Sequence, residues 1–197
     1  MTASAPKVAL NAGLLVLGWL LVWVGQFYMV PNLHVPLLIG LADPAVHGLV
    51  SLLLVLPLVL LHQLDIRVAV ITVLVGVLID LDHAVAAGSF DFKAMLSLPG
   101  RPVGHSLLVA GLVAGTLGLA LRWHDGRYAN WGPFYLFFAS LVSHIARDGV
   151  TPWAFPFTAS PIPKEVFFGI FIPLTGLHLL YGARSAKIGV ADSASNI

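Results

Sequence analysis

Six apolar runs alternate with short polar connections along the chain. They run over Val8–Val30, Ala45–Leu61, Ile66–Asp82, Val103–Leu121, Trp131–Ala146 and Glu165–Tyr181. A helix needs about 17–25 mostly apolar residues to cross a bilayer, so each run reads as a transmembrane helix. The first run is longer than a signal-peptide core and no small-x-small cleavage site follows it, which predicts an uncleaved helix. The connection Pro31–Pro44 holds three prolines and is expected to dip into the interface. His62, Asp65 and Arg67 predict a tight turn. Gly111, Gly115 and Gly118 recur at helical spacing, which lets a neighbouring helix approach closely. The expectation is an all-α, polytopic membrane helical bundle of about six transmembrane helices. It forms one domain over residues 1–183, with a short polar tail over 184–197.

Composition agrees with this reading. The chain is 58% hydrophobic and 10% charged, where a soluble domain is about 25% charged. A net charge of +1 gives no footprint for nucleic acid. There is no cysteine, which excludes disulfides and thiolate zinc sites. Any metal must be held by His, carboxylate and water.

Six spans place alternate connections on opposite sides. One side receives Lys7, Arg67, Arg122, Arg127, Arg184 and Lys187; the other receives Lys93, Arg101, Arg147 and Lys164. Excess positive charge favours the first side, with both termini, as cytoplasmic. The same alternation puts His34, His47, Asp80, Asp82, His83, His105, His144 and Asp148 at helix ends on the side opposite the termini. An Asp at the centre of a membrane helix costs roughly 2.5–3.5 kcal/mol, less toward the interface, so ionisable groups there mark function by default. Asp80 and His83 are three apart, and His144 and Asp148 four apart, so each pair shares a helical face. Asp82 lies about 200° round the helix from Asp80 and is placed to orient a His, take a second ion or face water. Imidazole with carboxylate suits zinc, and also manganese or iron.

Plainer roles are expected elsewhere. His34, His62, His124 and His178 are assigned to satisfying backbone carbonyls, Asp43 to an N-cap before Pro44, and Asp91 to solvent. Ser106 is expected to cap the fourth span or bond a metal ligand.

Four blocks in order over about residues 43–160 resemble the YdjM-type inner-membrane metal-dependent hydrolases. His47 stands for that family's early His. Ile79-Asp80-Leu81-Asp82-His83 matches its Leu-Pro-Asp-x-Asp-His block, with Ile for Pro. Gly100 to Ser106 matches a His-Arg-Gly-x-Thr-His-Ser block, with Gly100 for the leading His and Gly104 for the Thr. His144 to Pro152 matches a His-x-x-x-Asp-x-x-Thr-Pro block, with Phe155-Pro156-Phe157 behind it. The resemblance implies an all-helical metallohydrolase of a prokaryotic inner membrane, akin to zinc-dependent phospholipase C.

The reading that follows is a divalent metal, zinc for preference and one or two ions, held by His47, Asp80, His83, His105, His144 and Asp148. A metal-bound water would be the nucleophile. Arg101 is expected to hold an anionic group such as a phosphate, and Asp82 to orient a ligand or act as general base. The substrate would be a lipid ester or phosphoester reached among membrane lipids, with the aromatic-proline stretch 152–163 at its entrance. The alternative is a non-catalytic protein that binds or passes metal ions or protons. Conduction would need polar groups continuing through the bundle, and the spans offer few.

Overall fold

The computed structural model describes residues 3–128, 130–148 and 162–184; the Thr151-Pro152 end of the last block, the aromatic-proline stretch up to 161 and the tail lie outside them. Every regular element among the described residues is helical. Helix α1 (Ala5–Val24) passes through a π-turn (Gly25–Met29) into α2 (Val30–Asn32). Pro31 explains the widened turn. A proline inside a helix removes one backbone bond and crowds the carbonyl four residues back, and here Val30 N reaches back to Gly25 O.

Helix α3 (Pro36–Leu60) starts nine residues earlier than expected, because Pro36 sits in its first turn and Pro44 is absorbed in its interior. The tight turn is as expected: His62 takes a left-handed φ of 56°, and Asp65 caps α4 (Ile66–Leu78) by accepting from Arg67 N at 2.8 Å. The third span is not one continuous helix. It breaks at Ile79–Asp80 and resumes as α5 (Leu81–Ala87), which Gly88 ends at φ 60°. Asp91 is exposed, and it caps the short α6 (Phe92–Leu96) by accepting from Lys93 N. A 3₁₀ turn (Val103–His105) leads into α7 (Leu107–His124); α8 (Gly132–Asp148) and α9 (Lys164–Arg184) follow.

Helix α3 is the axis of the bundle, packed by α1, α4, α8 and α9. One core lies toward α4, α7 and α8, around Val55, Val68, Phe137 and Ile145. The other lies toward α1 and α9, around Trp19, Leu53, Leu54 and Phe167. The outward faces stay apolar: Leu108, Leu112 and Leu119 of α7 are more than 60% exposed, as helices that meet lipid require. Five segments are long and apolar enough to cross a membrane: Ala5–Asn32, Pro36–Leu60, Ile66–Ala87, Leu107–His124 and Lys164–Arg184. The fifth expected span, α8, has 17 residues and is largely buried among its neighbours. Ala3 N donates to Ala183 O at 3.4 Å, so the start of α1 and the end of α9 meet on one face.

Small residues set the close approaches. Phe134 of α8 lies over Gly118 of α7, at 3.3 Å from where a Cβ would stand. Gly76 is tighter: a Cβ there would come within 2.0 Å of Ser51 Oγ and 2.6 Å of Ser140 Oγ. Those hydroxyls bind each other at 2.8 Å, and Ser140 donates to Thr72 O at 2.8 Å, so α3, α4 and α8 are knotted at this level. Overpacking such a point costs about 1–3 kcal/mol. Gly76→Val is expected to lower stability by that amount, read as a fall in the thermal unfolding midpoint of the detergent-solubilised protein.

Candidate metal centre

Four segments bring ligand-type side chains to one end of the bundle. Helix α3 supplies His47, the α4–α5 break supplies Asp80, Asp82 and His83, the 3₁₀ turn before α7 supplies His105, and the end of α8 supplies His144 and Asp148. His47, His105 and His144 are fully buried. All six expected metal ligands and Asp82 are therefore neighbours. The helix break changes how this is reached. Asp80 and His83 do not share an unbroken helical face; Asp80 sits at the start of α5 and turns toward α8. Its Oδ1 is 3.2 Å from His144 Nε2, and 3.8 Å from His83 Nδ1.

Hydrogen bonds fix the imidazole tautomers. His144 Nδ1 lies 2.9 Å from the carbonyl oxygen of Gly76. A carbonyl only accepts, so that nitrogen carries the proton and Nε2 keeps its lone pair. His105 Nδ1 faces Asp82 Oδ2 at 3.3 Å, which turns its Nε2 inward. The two Nε2 atoms then face each other at 3.2 Å. At that distance a positive charge, a proton or a metal ion, must stand between them. Ligands 2.0–2.1 Å from a tetrahedral ion stand about 3.3 Å apart. Asp148 Oδ2 lies 3.7 Å from His144 Nε2 and 3.8 Å from His105 Nε2, completing a group of two nitrogens and two oxygens with Asp80. His47 Nε2, Asp80 Oδ2, Asp82 Oδ1 and Asp148 Oδ2 are buried with no hydrogen-bond partner. Three of these atoms have an ion-pair partner instead; the donor set and the unpartnered Asp80 Oδ2 fit a divalent ion.

His105 precedes the membrane-spanning part of α7. Burial disfavours its charged form, but the facing carboxylates of Asp148 and Asp82 outweigh this and hold its pKa up to about 9. The pocket draws a positive charge.

Asp82 contacts His105 and lies 3.1 Å from His83 Nδ1, and the three have metal-ligand spacing, so its geometry matches two of the roles considered for it, orienting a His and taking a second ion. A Cβ at residue 104 would lie 2.2 Å from Asp82 Oδ2, so Gly104 makes room for the carboxylate. Residue 100 opens on free space. Arg101 does not stand free for an anion. Its Nε donates to Asp148 O at 2.9 Å and its guanidinium lies 3.3 Å from Asp148 Oδ2, with 42% of the side chain exposed. Ser106 is at the N-cap of α7 but makes no capping bond, and its buried Oγ has no partner. His178 satisfies a carbonyl as expected, with Nδ1 donating to Leu54 O at 2.9 Å and Nε2 accepting from Tyr135. His34, His62 and His124 are exposed and apart from the cluster.

Sequence reasoning missed Asp43 and Arg147. Asp43 is no N-cap: it lies one turn before His47 inside α3 and pairs with the buried Arg147 guanidinium, which Gln26 also binds. The i,i+4 spacing of Asp43 and His47 was the available signal, masked by Pro44. A cavity of about 540 Å³ opens beside Asp148 and His83, with Arg101, Arg147 and Lys164 on its wall among apolar side chains such as Ile39, Leu96 and Leu98.

No protein-family model matches the chain, and no solved structure matches it. Two curated relatives carry the name transmembrane protein 267. The one from Danio rerio is 36% identical over 125 residues, covering 57% of this chain and 56% of the relative. The one from Bos taurus is 34% identical over 100 residues, covering 49% and 45%. The chain thus spans about half the length of the curated relatives it matches. Their name speaks of membrane residence and of no chemistry. Together with the apolar helices it makes this chain an integral membrane protein.

Carboxylates that orient metal-bound imidazoles typically contribute 10–100-fold to metal affinity. Asp82→Asn is expected to weaken zinc binding by about that factor, measured by competition with a chelator of known affinity.

Proposed function

We propose that this protein is a membrane-embedded metal-dependent hydrolase acting on a lipid ester or phosphoester. The observation that carries the reading is the pair of facing Nε2 atoms of His105 and His144, 3.2 Å apart, flanked by the carboxylates of Asp80 and Asp148 within ligand distance. The order of the four sequence blocks supports it. Zinc, when bound, polarises a water and brings its pKa toward about 7. Asp80, His105, His144 and Asp148 hold the ion, with His47 and His83 at its margins. Asp82 and the Gly76 carbonyl keep the two imidazoles in the tautomer that coordinates.

The cavity supports the substrate class. It joins the ligand cluster to apolar side chains such as Ile39, Leu96 and Leu98, with Lys164 on its wall while Arg101 and Arg147 are committed to Asp148 and Asp43, which suits a molecule with an anionic head and an acyl chain. Lys164 also lies 5.0 Å over the Phe27 ring, where its charge is held at the cavity edge. The rival reading, a path for ions or protons, finds little support. Beneath the cluster lie the neutral hydroxyls of Ser140 and Thr72, which donate to backbone carbonyls, and of Ser51, which donates to Ser140. Residence in a prokaryotic inner membrane, with the motif face opposite cytoplasmic termini, rests on the motif resemblance and the charge bias; the two relatives, both vertebrate, add nothing to it.

The deciding measurement is metal content of the detergent-purified protein beside Asp80→Ala and His144→Ala. At least one zinc per chain is expected in the wild type, with loss in both variants while the helical circular dichroism is kept. A wild type that holds no transition metal after reconstitution would sink the hydrolase reading. Given turnover, Lys164→Gln is expected to raise KM for an anionic phospholipid about two- to five-fold, the worth of one exposed charge contact, and to leave KM for a neutral ester unchanged.

A further inference from the structure

Asp43, His47 and Asp148 form another group with metal-ligand spacing, on the side of the site away from His105. His47 Nε2 is 3.2 Å from Asp148 Oδ1 and 3.9 Å from Asp43 Oδ2, and it is buried without a hydrogen-bond partner. Two carboxylates and an imidazole would ordinarily make this a divalent-ion site. A protein cation already lies on it. The side chain of Arg147 is 4% exposed. Its guanidinium pairs with Asp43 Oδ1 and stands 3.8 Å from Asp148 Oδ1, so it touches both carboxylates that an ion would bridge. Gln26 of the π-turn accepts from its Nε, and the Asp43 carbonyl lies 3.5 Å from its Nη1.

We infer that Arg147 is a built-in cation of the centre, filling the Asp43–His47–Asp148 group and confining metal to the rest of the site. The inference rests on the metal-centre reading above. A guanidinium stays charged at any physiological pH and offers only donors. It balances the carboxylates as an ion would, yet binds no water as a Lewis acid. A second metal ion and the guanidinium repel each other at these distances, so one excludes the other. Arg147 also lines the cavity, which leaves a fixed, non-exchangeable positive charge where a labile ion would otherwise sit.

The test is zinc stoichiometry of the full chain in detergent, saturated with zinc and then freed of excess. Arg147→Ala is expected to hold one zinc per chain more than the wild type. Arg147→Ala with Asp43→Asn is expected to return to the wild-type number, and ethylguanidinium to displace the extra ion from Arg147→Ala. A folded Arg147→Ala with the wild-type zinc number overturns the inference. Arg147→Met, which keeps the aliphatic stem, decides the matter in the same way where the alanine variant fails to fold. Misfolding of both that zinc does not reverse overturns it too, since a group able to take zinc would regain its cation. A wild type without zinc defeats the metal-centre reading itself, whereas a zinc-loaded wild type with an unchanged Arg147→Ala defeats only the role of Arg147.

Discussion

Carboxylates and imidazole lone pairs packed together out of water must be met by positive charge. Asp43, Asp80, Asp82 and Asp148 lie within a few ångströms of His47, His83, His105 and His144, and the burial that shapes the bundle removes the water that would screen them. Charges in such a setting are tolerated only when paired or metal-bound. The remaining architecture serves this balance. Helix α3 runs through the centre and carries His47 and Asp43 on one side. Gly76 lets α4 close on α3 and α8, which delivers its carbonyl to His144. The break at Ile79–Asp80 turns two carboxylates inward instead of one.

The convergence was readable because it depends only on alternation: helix ends separated by an even number of crossings share a side. His47, Asp80, His83, His105, His144 and Asp148 follow from that rule whatever the rotation of each helix. Rotation and breakage were not readable. Nothing in Val-Leu-Ile-Asp-Leu-Asp-His announces a break, with no Gly or Pro within the three residues before Asp80, so the third span read as continuous. Pro44 pointed the other way. A proline is a fair sign of a helix start, yet here α3 begins eight residues earlier and takes the proline within it, which moves Asp43 from a cap to the site. Arg147 registered only as one positive charge in a connection, because pairing across a bundle leaves no trace in local spacing. The fifth span was expected to cross the membrane like the others. Its shortness and its serines fit a helix whose neighbours are mostly protein.

The bundle divides its labour by height. Below the site, Ser51, Thr72 and Ser140 spend their donors on backbone carbonyls and one another, so α3, α4 and α8 are held by polar bonds that need no water. Farther along, Trp19 donates to Thr175 and Tyr135 to His178, tying α1 to α9 and α8 to α9. Apolar packing alone gives little preference between neighbouring helices in lipid, since lipid is as apolar as the side chains. These few bonds set which helix meets which, and hence where the ligand-bearing ends arrive.

The contact between Asp82 and Gly104 ties together two positions far apart along the chain. A side chain at residue 104 and the carboxylate of residue 82, as it is placed here, would occupy one volume. The bare backbone of residue 104 therefore sets how far that carboxylate can lean toward His105, and the aim of an acid on one segment is governed by an absence of atoms on another.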